Sequence, residues 1–206
     1  MSSIKKYYMK QLSAFLLSLG VLAGAKGFAQ DEVTATGVRF GLKAGINIAN
    51  ITAKTSGVSF SPSSVVRPTG GFFATIPMAE GFAIQPEILY SGLGAKIAGG
   101  KILYDYLTLP VLAKYSFEDA GFGAYLGPQI GYLLSAKVKE GGVTEDIKED
   151  VKSTDFSGII GVEYFLPMGV GLSARYQLGL SNVAKDTEDE GSVKNKALTF
   201  TLGYKF

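Results

Sequence analysis

The chain has 206 residues, enough for one domain with a sizeable core. It holds 27 Gly, 11 Tyr and 13 Phe but only 18% charged residues, and no Cys, His or Trp, which excludes a disulfide framework, a thiolate metal site and any mechanism built on a histidine base. The formal charge of +2 belongs to the whole chain and falls to −2 once the N-terminal segment is set aside, so nothing here supports nucleic-acid binding.

In chain order, Lys5, Lys6 and Lys10 precede the apolar run LSAFLLSLGVLAGA (12–25), which leads into KGFAQ. That order predicts a cleavable secretory signal peptide over 1–29, because the run falls short of the roughly 20 residues a spanning helix needs. Its removal takes Lys5, Lys6, Lys10 and Lys26 and no acid, leaving 16 basic against 18 acidic residues. Residues 30–36 are read as a short periplasmic segment, and 37–206 as one barrel domain.

From Gly37 onward the hydrophobic period is two, which predicts strands. Eight runs stand out, at 38–49, 66–76, 81–92, 102–115, 121–136, 154–166, 169–181 and 196–206. Three connections are short: PMAEG (77–81), FEDAG (117–121) and PMG (167–169). Four are long: 50–65, 93–101, 137–153 and 182–195. Short and long alternate, as in transmembrane barrels with short periplasmic turns and longer extracellular loops.

Each strand separates an apolar face from a small or polar one. In the first, Phe40, Leu42, Ala44, Ile46 and Ile48 oppose Arg39, Gly41, Lys43, Gly45 and Asn47. In the seventh, Leu172, Ala174, Tyr176 and Leu178 oppose Gly171, Ser173, Arg175 and Gln177. Alternation alone leaves two architectures open: a secreted or periplasmic lipocalin-like barrel with the apolar face inside, or a membrane barrel with it outside. Apolar runs of spanning length, aromatics at strand ends (Phe40, Phe82, Tyr90, Tyr115, Phe122, Tyr164, Tyr204, Phe206) and a Gly-rich polar face favour the membrane. Lipid leaves no unpaired backbone, so the sheet must close. The fold class expected is all-β, an eight-stranded antiparallel up-and-down transmembrane β-barrel behind a signal peptide.

That sidedness puts Arg39, Lys43, Gln85, Glu87, Lys114, Gln129, Glu163 and Arg175 in the lumen. Buried charges must pair, so Glu87 and Glu163 are each expected to touch at least one of Lys43, Lys114, Arg39 or Arg175, plugging the interior. Pro86, Pro110 and Pro128 inside strands are expected to mark bulges or breaks in pairing. The charged loops 137–152 and 182–196 read as solvated surface, without the spacing of a calcium loop. No metal, cofactor or catalytic residue is expected.

The chain stops on LTFTLGYKF (198–206), whose Leu198, Phe200, Leu202, Tyr204 and Phe206 resemble the C-terminal signal of bacterial outer-membrane proteins. The resemblance implies that barrel-assembly machinery reads this segment during insertion. GLKAGINIANI (41–51), YDYLTLPVLAKY (104–115) and GVEYFL (161–166) are similar to the small porin-like or PorT-like outer-membrane β-barrel proteins of Bacteroidetes-type bacteria. That likeness implies an outer-membrane location, outer-membrane lipid as the surrounding partner, and a structural, surface-interaction or minor-porin role. It also implies a secretion-system or extracellular partner of unknown identity.

Overall fold

The computed structural model describes residues 37–55, 58–117, 121–185 and 191–206. The expected signal peptide (1–29) and the segment 30–36 lie outside the described residues, as does the acidic run 186–190. In chain order the elements are β1 (Arg39–Thr55), β2 (Val58–Phe60), β3 (Val65–Ala79), β4 (Phe82–Ile97), β5 (Gly100–Ser116), β6 (Phe122–Glu140), β7 (Val143–Asp146), a 3₁₀ turn (Lys148–Asp150), β8 (Thr154–Phe165), β9 (Val170–Gly179) and β10 (Ser192–Lys205). Setting aside the short β2 and β7, eight strands pair antiparallel, each with the next in sequence. β10 then pairs with β1 from Gly41↔Lys205 to Lys54↔Ser192 and closes the cylinder.

Closure decides sidedness. Leu42 is 42% exposed, Leu172 63% and Leu202 56%, whereas Lys43, Glu163 and Arg175 keep only 4–5% of their surface. Burying charge and presenting aliphatic side chains is the reverse of what water selects, so the lipocalin-like alternative falls. Phe40, Phe82, Tyr115, Phe122, Tyr164, Tyr204 and Phe206 are all exposed around the end with the short turns. Ring pairs such as Phe82–Tyr115 (4.7 Å between centroids) and Tyr204–Phe206 (5.4 Å) join them into a girdle. Gly81 and Gly169, in two of the short turns, hold φ of 73° and 88°, conformations that suit glycine.

The long connections differ from expectation. β4 continues to Ile97 and turns at 98–99 directly into β5, and β6 continues to Glu140 before folding back as β7. Residues 93–97 and 137–140 are therefore strand, not loop. Their period of two is real: Leu93, Ala95, Ile102, Tyr104 and Ala136 turn inward, while Lys96, Lys101, Lys137 and Lys139 turn outward. Glycines and lysines disguised it.

Of the two outcomes expected at the prolines, they show the break in pairing and not the bulge. The β4–β5 ladder skips positions beside Pro86 and Pro110, and the β5–β6 ladder skips positions beside Pro110 and Pro128, yet the register on both sides of each gap is unchanged. The gaps follow from the missing N–H. The shifts of register lie elsewhere, at Pro77/Ala79 and at Asp105/Tyr106.

Inside, the barrel has two levels. Polar and charged side chains fill the part nearer the short turns. An apolar cluster fills the part under the long connections: Ile51, Val65, Leu93, Tyr104, Tyr106, Leu133, Val151 and Val183, with several alanines. Sequence reasoning assigned the apolar face wholly to lipid and missed this upper plug.

Candidate functional site

The lower lumen is organised around two carboxylates. Glu87, on β4, accepts from Lys43 Nζ on β1 (2.5 Å) and from Arg175 Nη1 on β9 (2.9 Å). Gln85 Nε2 donates to the same carboxylate at 2.8 Å, and Thr75 Oγ1 donates to Gln85 Oε1 at 3.0 Å. The group ties β1, β3, β4 and β9 across the cylinder, so it is a strut as well as a plug. Glu163, on β8, pairs with Lys114 on β5 and lies 3.9 Å from Lys205 Nζ on β10. Lys114 and Lys205 both stand over the Phe165 ring, at 5.6 and 3.6 Å, and Lys43 stands over Phe73 at 4.9 Å. Such contacts soften the cost of holding ammonium groups out of water.

Large lumen side chains fit only because glycines face them. A Cβ at Gly161 would come within 2.7 Å of the Tyr125 ring and of Arg175, and one at Gly171 within 2.5 Å of Phe165. Above the ion pairs runs a neutral belt. Asn47 Nδ2 donates to Ser91 Oγ and to the Gly92 carbonyl, both at 2.9 Å, and Thr199 Oγ1 donates to Asn47 Oδ1 at 2.7 Å. Gln129 and Gln177 each donate to Ser157 at 3.2 Å. Higher still, the buried Asp155 accepts from Ser181 (2.8 Å) and Asn195 (3.0 Å).

Of the residues singled out from sequence, the structure brings Lys43, Glu87 and Arg175 into one cluster and Lys114 and Glu163 into another. Arg39 joins neither. As the first residue of β1 it sits exposed at the short-turn mouth, beside a cavity of about 560 Å³ that it shares with Lys114, Glu163, Phe165 and Lys205. Sequence reasoning missed Lys205, which the inward/outward alternation of β10 signalled. It also missed Asp155, and the outer cluster in which Asp105 pairs with Arg67 and accepts from the Tyr90 hydroxyl at 2.5 Å. That cluster caps the apolar band where Tyr90 ends it on β4. Among the described residues no group of three or more acidic side chains gathers to hold a metal ion.

The C-terminal positions Leu198, Phe200, Leu202, Tyr204 and Phe206 are all exposed on the outer face, 40–70%. The Phe206 N–H donates to the Phe40 carbonyl at 2.9 Å, so the end of the chain is stitched to the start of β1.

With this geometry in place, a family model for the outer membrane protein beta-barrel domain matches residues 28–185. The chain belongs to the outer membrane protein beta-barrel domain family. Among solved structures, Neisserial surface protein A aligns with a TM-score of 0.52 at 19% identity, over 84% of this chain and 99% of that one. Ail, the attachment invasion locus protein of Yersinia pestis, aligns with a TM-score of 0.50 at 14% identity, over 83% of this chain and 100% of that one. At these identities the likeness concerns the fold. No curated protein matches the sequence.

Proposed function

We propose that this outer-membrane barrel is a closed one, with a structural or surface-directed role rather than transport. One observation carries the reading: the interior is occupied at successive levels, by the Glu87 and Glu163 ion pairs, the amide belt and the apolar cluster. Eight strands enclose just enough space for side chains. The refolded full chain in planar bilayers is expected to show no stable conductance. Sizeable, reproducible single-channel steps would replace this reading with the minor-porin one.

Catalysis is not part of the proposal. The chain has no histidine, and Glu87 and Glu163 are taken up by cations. We further read export through residues 1–29, and membership of the porin-like or PorT-like branch of Bacteroidetes-type bacteria on the segments 41–51, 104–115 and 161–166. A link to a secretion system belongs to that finer likeness; affinity purification from the native membrane that recovers no secretion component would remove it.

The C-terminal segment is read as the signal taken up by the assembly machinery. Deleting Phe206 is expected to lower severalfold the heat-modifiable, membrane-assembled fraction in cells, while the same variant still refolds in detergent. Unchanged assembly would assign the Phe206–Phe40 stitch a purely local role.

A further inference from the structure

The cavity at the short-turn mouth, about 560 Å³, gathers more positive than negative side chains. Among the described residues that line it, Glu163 is the one acidic side chain, against Arg39, Lys114 and Lys205. The closing seam brings two of these cations together. Gly41 on β1 stands opposite Lys205 on β10, and Arg39 is the next inward position of β1 toward the mouth. Lys114 reaches in from β5. Lys205 feels the charges of both Lys114 and Arg39 as well as that of Glu163.

The donors here outnumber the acceptors. Lys114 is 3% exposed and its ammonium is taken up by Glu163. Lys205 approaches the same Oε1 only to 3.9 Å, too far for a hydrogen bond, with 17% of its side chain exposed. Its three N–H groups have no protein acceptor among the described residues, and neither have the five of the Arg39 guanidinium. Phe165 covers one flank of Lys205 at 3.6 Å, which leaves the cavity as the open side. Glu80, exposed between β3 and β4, forms no ion pair with these cations, nor does the Phe206 carboxylate.

We propose that this mouth is a binding site for a phosphate group carried by a small solute on the short-turn side of the membrane. Arg39 and Lys205 hold the phosphate, and the Lys114–Glu163 pair forms the floor. The planar fork of Arg39 suits two phosphate oxygens at once, and Lys205 adds a compact charge from the neighbouring strand. Three cations against one carboxylate leave two positive charges among the lining side chains, which a phosphate monoester, close to a dianion at neutral pH, balances. A single carboxylate ligand would answer only one of them. The inference concerns the mouth alone and holds whether or not the lumen conducts, so phosphate binding and conductance can fail separately.

The test refolds the full chain in a maltoside detergent, which carries no phosphate. It is titrated with inorganic phosphate and with glycerol phosphate at about 0.15 M salt. Calorimetry reads the binding, and the urea midpoint reads the stability it adds. One saturable site per barrel is expected, with a midpoint that rises as phosphate is added. The variant R39Q/K205Q is expected to lose about tenfold or more in affinity while remaining heat-modifiable. R39Q alone, at an exposed strand start, leaves the fold intact and should lose severalfold. No saturable binding by the wild type, or unchanged binding by these variants, overturns the proposal. Glu118 and Asp119, between β5 and β6, lie outside the described residues. E118Q/D119N is expected to keep the affinity within about twofold; a gain of about tenfold would show that these acids already neutralise the mouth, and would remove the site. In nanodiscs of phosphatidylcholine doped with phosphatidylglycerol, binding of glycerol phosphate is expected to persist. Its loss there would hand the cations to lipid headgroups and overturn the soluble source.

Discussion

Glu87→Ala is expected to destabilise the barrel by about 3–5 kcal/mol, the range for leaving a buried charge without its partner. Here one truncation strands two cations: Lys43 and Arg175 both converge on this carboxylate, and Glu87 keeps only 4% of its surface. Gln85 would lose its acceptor as well. Equilibrium urea unfolding of the refolded protein measures the loss. Exchanging the three charges together, as Lys43→Met, Glu87→Leu and Arg175→Met, should recover most of it, because well-packed apolar groups replace buried ion pairs at little cost. A loss below about 1 kcal/mol for Glu87→Ala would mean that Lys43 and Arg175 reach other acceptors or water, and the lumen would then be wetter than its packing indicates.

Ile160→Arg tests the other side of the wall. Ile160 is 61% exposed in the middle of the outward run of β8, between Leu126 on β6 and Tyr176 on β9. In water, a charge at so exposed a position would change stability by less than about 0.5 kcal/mol. Facing lipid near the bilayer midplane it is expected to cost about 2–4 kcal/mol. Val143→Arg, at a position 70% exposed on β7 beyond the band, should be silent in the same assay. Equal, negligible effects at the two sites would remove the lipid-facing assignment of this wall.

Much of the architecture was legible because a strand repeats its environment every two residues. Once one face was apolar from Phe40 to Ile48, and again from Leu198 to Phe206, the strand lengths left few arrangements open. The two faces of those strands lie where alternation put them. What was not legible has physical causes. Leu93, Ala95, Tyr104 and Leu133 point inward beneath the long connections, where the barrel rises past the membrane and its interior needs an apolar filling. Within the sequence they look like the lipid-facing residues of the same composition. Alternation also could not rank the lumen charges by depth, so Arg39 at a strand start was grouped with Lys43 four residues deeper. Lys205 escaped notice because it lies next to the aromatic positions that draw attention to the end of β10. The Arg67–Asp105 pair joins strands that are not neighbours: Arg67 on β3 reaches past Gly92 of β4, whose absent side chain leaves the way open. No one-dimensional pattern reports such a contact.

The seam between β1 and β10 has a consequence in time. Gly41 must find Lys205, nearly the full domain length away, and that pairing is the last for which the chain supplies a partner. Ribosomal synthesis therefore delivers seven strands that cannot yet be cyclised, with both free margins still able to recruit a neighbouring molecule. Contacts so remote in the chain form slowly. The vulnerable interval of this protein is thus the wait for its final strand, and cellular yield should respond more to what shelters that waiting chain than to the equilibrium stability of the finished cylinder.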